Sequence, residues 1–97
     1  MLIYKQYIMN KYVVEFIGTL FFIFVVISTG HWAFIGLALA LGSLVGNKIS
    51  DGQVVFNPAI TLVLYIKKKM NSQDLWIYIV IEILAALTAF ALYESIT

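Results

Sequence analysis

Asn57-Pro58-Ala59 is a tripeptide whose residue types and order fit a specific chemistry. Proline suits the first position of a helix, where a missing N–H costs nothing. Asparagine just before it is a good N-cap, and its side-chain oxygen can accept from the free amide of Ala59 or Ile60. The side-chain NH2 is then left to donate beyond the helix end, where the helix dipole adds a partial positive charge. Inside a membrane, such a helix end offers donors and a positive field without a formal charge. It can hydrogen-bond the oxygen of a water or hydroxyl, repels cations and disfavours proton hopping. After a surface loop the same tripeptide is an ordinary capped helix, so the surrounding segment decides.

Two carboxylates stand in apolar surroundings, Glu15 and Glu82. A carboxylate at that depth is costly unless paired, so Glu82 is expected to face a loop, a cavity or a partner. Glu15, one turn into its run, either reaches the headgroup zone or turns inward. The two do not read as a catalytic acid–base pair. His31 reads as a polar turn residue rather than a ligand or switch. With no cysteine, neither a disulfide framework nor a thiolate metal site can form. No nucleophile–base set or metal cluster is present, so neither an enzyme nor a cofactor is expected.

The elements that must position these residues follow from hydropathy. Of 97 residues, 63% are hydrophobic and 11% charged, too apolar for an ordinary soluble domain. The apolar runs Tyr12–Thr29, Trp32–Asn47 and Leu75–Tyr93 each approach the length of a span, about 27 Å for the first as a helix. The first is read as a retained span rather than a cleaved signal peptide, since it holds Glu15 and ends without a small-residue cleavage site. Pro58–Ile66 is about 14 Å of helix, half a bilayer, and reads as a re-entrant half-helix. Asn71 or Ser72 is the expected cap of the last span. Trp32, Trp76, Tyr12, Tyr78 and Tyr93 fall near span ends, as interfacial aromatics do. Ala38, Gly42 and Gly46 recur every fourth residue, a stripe suited to close helix packing. The expected fold is therefore an all-α membrane protein in one domain, with three transmembrane helices and one half-helix.

The positive charges are Lys5, Lys11, Lys48, Lys67, Lys68 and Lys69, with no arginine. With the N-terminus cytoplasmic and the C-terminus outside, all six fall on the inner side, as the positive-inside rule favours. Lys67–Lys69 stop the half-helix and could also meet anionic lipid. A net charge of +1 gives no reason to expect nucleic acid as a partner.

Three stretches carry a family resemblance. Glu15-Phe16-Ile17-Gly18-Thr19 resembles the Glu-Phe-Ile-Gly-Thr signature of the major intrinsic protein family, the aquaporins and glycerol facilitators. Asn57-Pro58-Ala59-Ile60-Thr61-Leu62 resembles its Asn-Pro-Ala-Val-Thr-Leu. Tyr78 to Ala86 is similar to its third-span pattern, in which Gln usually stands at Glu82 and Gly at Ala86. The resemblance runs roughly from Tyr12 to Tyr93 and matches only the first of the family's two inverted repeats. It implies half of an aquaporin-like fold, with Asn57, Pro58 and Ala59 at the pore and Glu15 accepting loop amides to hold the re-entrant loop. The second-span filter position falls on Ile35, where Phe or Trp is frequent, and Val55 stands where the loop His is usual.

The resemblance implies a channel subunit for water or small neutral solutes. One half-helix cannot make a paired constriction, so a second half is required. Two antiparallel copies would set one copy against the lysine asymmetry, which favours a separately encoded second half over a homo-oligomer. A different class of reading is a non-conducting remnant, or a subunit that modulates a full-length channel. A small proton-coupled exporter fits less well, because small multidrug-resistance proteins need four spans and balanced lysines.

Overall fold

Asn10 starts the first helix by accepting the Tyr12 amide on its side chain at 2.7 Å. A computed structural model describes residues 9–97. It contains helices α1 (Lys11–Thr29), α2 (Trp32–Ile49), α3 (Pro58–Ile66) and α4 (Ser72–Ile96). Lys5, counted in the lysine asymmetry, lies outside the described residues. Helices α1, α2 and α4 are each long and apolar enough to cross a membrane. The protein is an all-α integral membrane protein.

The turns follow from local chemistry. Gly30 ends α1 in the left-handed region at φ 58°, open to glycine without steric cost, and its N–H donates to Val26 O at 3.0 Å. His31 then caps α2, its Nδ1 accepting the Ala33 amide at 3.1 Å. Helix α3 stops in a Schellman motif, in which Lys68 N–H reaches Tyr65 O at 3.0 Å and Lys69 N–H reaches Leu64 O at 2.8 Å. The left-handed residue of that motif is Lys68, at φ 62°. Asn71 caps α4 by accepting the Asp74 amide at 2.7 Å.

Helices α2 and α4 outrun the apolar stretches that mark them, α2 by reaching Ile49 and α4 by starting at Ser72 and running to Ile96. Hydropathy marks only the part that wants lipid. Backbone hydrogen bonds and caps carry the helix further.

Helix α1 packs against both α2 and α4, and α3 packs against α4. At one end, Asp74 accepts from Lys11 Nζ at 2.7 Å and from Tyr12 OH at 2.6 Å. At the other, Phe24 meets Tyr93 edge to face. Helices α1 and α4 therefore run parallel, with α2 returning between them in sequence. The start of α1 is also tied to the end of α2, since Met9 N–H donates to Ile49 O and Lys11 N–H to Asp51 Oδ1. The described lysines Lys11, Lys48 and Lys67–Lys69 thus gather at one end of the molecule.

Polar side chains share the interior with apolar ones. Glu15, Thr19, Ser50, Thr61 and Glu82 are buried beside Val14, Val55, Phe56, Leu75 and Tyr78, while Leu37, Leu44, Leu84, Leu87 and Phe90 are exposed. Polar groups turned inward and leucines turned outward suit lipid as solvent. Apolar surface gains nothing by hiding from hydrocarbon, whereas an unpaired polar group is costly there.

Candidate functional site

The site is the segment from Gln53 to Thr61, and α1, α2 and α4 hold it residue by residue. Gln53 O accepts from Tyr78 OH at 2.7 Å, and its side chain donates to Lys69 O. The carboxylate of Glu15, 0% exposed, accepts from Val55 N at 2.9 Å and Phe56 N at 2.5 Å. One side chain thus satisfies two consecutive loop amides that have no ladder or helix to join.

Phe56 explains why that clamp matters. Its φ is 67°, a left-handed conformation that costs a non-glycine residue about 1–2 kcal/mol. Two buried hydrogen bonds to one carboxyl group, each worth roughly 0.5–1.5 kcal/mol, offset that strain. The ring is 2% exposed and lies where only glycines leave room. A Cβ at Gly18 would collide with it, and one at Gly42 would come within 3.0 Å. Val54 sits similarly on Gly46, again at 3.0 Å from an added Cβ. The small residues at 42 and 46 of α2 are therefore the seat of the loop. Gly18 lies about 10 Å along α1 from Lys11, so the loop enters the membrane-spanning layer.

Asn57 follows directly. Its Oδ1 accepts the Ala59 amide at 2.8 Å, so Asn57 caps α3 with Pro58 in the first turn. The Nδ2 group donates to no other described residue, and Pro58, Ala59 and Ile60 are exposed. Beneath the turn, Thr61 lies one helical turn on. Its N–H and its hydroxyl both approach Asn57 O, at 2.9 and 3.1 Å. The same hydroxyl lies 3.0 and 2.8 Å from the two oxygens of Glu82, which is 1% exposed. Glu15 and Glu82 therefore approach one turn from two sides, the first at the loop amides and the second through Thr61.

A cleft of about 440 Å³ opens beside the turn. Leu39, Ser43 and Asn47 line it from α2, one helical turn apart; Gln53 and Val54 line it from the loop, and Ile60 from α3. Asn47 Nδ2 is already used on Ser43 O at 2.8 Å. Ile35 is half-buried one turn beyond Leu39 on the same stripe and does not line the cleft. Among the described residues, no group of three or more His, Cys, Asp or Glu side chains could hold a metal.

Sequence reasoning had singled out Asn57, Pro58, Ala59, Glu15 and Glu82, and these converge on one turn; Ile35 stands apart from it. Phe56, Thr61, Ser43 and Asn47 were not singled out. Thr61 carried a usable signal, four residues after the capping Asn and therefore under it. Phe56 carried none, because nothing in an aromatic residue announces a positive φ.

The chain is 36% identical over 96 residues to glycerol uptake facilitator protein-like 6 of Lactiplantibacillus plantarum. The alignment covers 90% of this chain and 44% of that protein, so the chain spans less than half of the relative's length. No family model matches the chain, and no solved structure matches it.

Proposed function

We propose that this chain forms one half of a channel for water or small neutral solutes, of the major intrinsic protein type. The observation that carries the reading is the Asn57 turn. A short helix begins inside the membrane layer, its cap leaves the side-chain NH2 without a partner among the described residues, and Val55 and Ile60 on either side of the turn line an open cleft. Asn57 Nδ2 then donates to the oxygen of a passing solute, and the helix N-terminus disfavours cations. Leu39 and Ile60 give the cleft an apolar wall, along which a solute has few competing partners. Ile35, one turn further along α2 and outside the cleft, is the aliphatic filter residue in this reading. Glu15 and Glu82 keep the turn in place.

A constriction between two half-helix ends needs a second half, inverted across the membrane. The N-terminus faces the cytoplasm in this reading and the C-terminus the outside, which keeps the lysine end inside. A pairing of two copies of this chain would have to invert one of them.

The test replaces the stretch of the Lactiplantibacillus protein that aligns with this chain by the chain itself. Cells carrying the chimera are followed by swelling in hypotonic medium and in isosmotic glycerol. Swelling well above that of empty cells is expected in at least one medium. If the facilitator conducts and the chimera, present in the membrane at equal amount, swells like empty cells in both, the reading fails.

A further inference from the structure

The Asn57 site leaves the lysine triplet unused, and two of the three lysines line a separate cleft. Lys67, Lys68 and Lys69 follow α3 directly and are all exposed. Among the described residues the one ion pair is Lys11 with Asp74, so the triplet has no carboxylate within salt-bridge distance. Lys68 occupies the left-handed position of the helix stop at φ 62°, where glycine would sit without strain. A stop alone does not call for a cation at that position. Beside it opens a second cleft, of about 600 Å³, lined by Tyr65, Ile66, Lys68, Lys69, Met70 and Asn71. Its walls differ in kind. Lys68 and Lys69 bring positive charge to the lining, and exposed Tyr65 and Ile66 bring apolar surface.

Location narrows the ligand. The cleft lies between the end of a half-helix and the start of a span, at the same end as the other described lysines. Exposed Trp76 stands one turn into α4 at that level, as interfacial aromatics do. We propose that this cleft binds the headgroup of an anionic phospholipid, with the phosphate between Lys68 and Lys69 and an acyl chain along Ile66 and Tyr65. Charge complementarity supplies the anion, and the adjoining apolar wall distinguishes a lipid from a free phosphate. The site also holds α3 to the membrane surface at the end opposite Asn57. This inference stands whether or not the chain conducts.

The test uses the full chain reconstituted in vesicles of equal phosphatidylglycerol and phosphatidylcholine, then released gently for native mass spectrometry. Retained phosphatidylglycerol should exceed phosphatidylcholine by about tenfold or more, since two ammonium groups converge on one phosphate in the cleft. The pair of substitutions Lys68→Gln and Lys69→Gln should bring the ratio close to one, with helix content by circular dichroism unchanged. Lys48→Gln, away from the cleft, should leave the ratio as it was. Equal retention of both lipids by the native chain overturns the proposal. So does an unchanged ratio in the double variant. An excess of inorganic phosphate should not strip the lipid; if it does, the site is a phosphate site and not a lipid site.

Discussion

The α1–α4 side of the molecule and its α2 side are built on opposite plans. On α1 and α4 the buried polar side chains Glu15, Thr19 and Glu82 lie among buried Val14, Leu75, Tyr78, Ala85 and Ala89, and the loop amides at 55 and 56 end on Glu15. Helix α2 buries only Ala38 and Gly46, and its leucines face outward. The first side is held by hydrogen bonds that lipid cannot replace. The second offers a smooth surface with small-residue seats. In a bilayer the hydrogen-bonded side therefore fixes the structure, and the α2 side keeps the open cleft along Leu39, Ser43 and Asn47.

That contrast predicts unequal responses to substitution. The largest effect is expected at Glu15. Glu15→Ala leaves two buried amides without an acceptor and removes what offsets the strain at Phe56. Protection of the Val55 and Phe56 amides from hydrogen exchange should fall about 100-fold or more. Unchanged protection would mean that the loop is held by packing alone.

Gly18→Val should come next. Its side chain must displace the Phe56 ring, which should destabilise the chain by about 1–3 kcal/mol in detergent unfolding. Gly36 is the matched control, because nothing lies within 4 Å of a Cβ built there. Gly36→Val should cost nothing measurable, because valine is the better helix former of the two. Equal costs at the two glycines would erase the distinction between the loop seat and the open face.

A smaller and more discriminating effect is expected at Glu82. Glu82→Ala leaves Thr61 with Asn57 O as its only acceptor and should cost about 1–2 kcal/mol. Glu82→Gln keeps an oxygen for Thr61 and fills the same space, so it should stay within about 0.5 kcal/mol of the native chain. A Gln variant as damaged as the Ala variant would show that an amide cannot stand in for the carboxyl group beside Thr61.

Much of this organisation was legible in the sequence, for identifiable reasons. Spans and the half-helix are written in hydropathy and length, and the Asn57 cap in local stereochemistry. The small residues at 42 and 46 were legible as a packing stripe, though not as the seat of Phe56 and Val54. What could not be read depends on pairing across the fold. The parallel course of α1 and α4 rests on Lys11 and Tyr12 meeting Asp74, far apart in sequence. The left-handed backbone at Phe56 exists because Glu15 and two glycines impose it. Glu82 called for a partner, but only the fold selects Thr61.

The most direct test of the account is Asn57→Asp in the facilitator chimera, read as swelling rate at matched membrane abundance. The substitution keeps an oxygen to cap α3, replaces the free NH2 with a carboxylate oxygen and adds negative charge at the turn. The account predicts that solute entry falls about tenfold or more, equivalent to about 1.4 kcal/mol of lost transition-state stabilisation, while the helices stay intact. Entry at the native rate would contradict it, because Asn57 would then lie off the path of the solute.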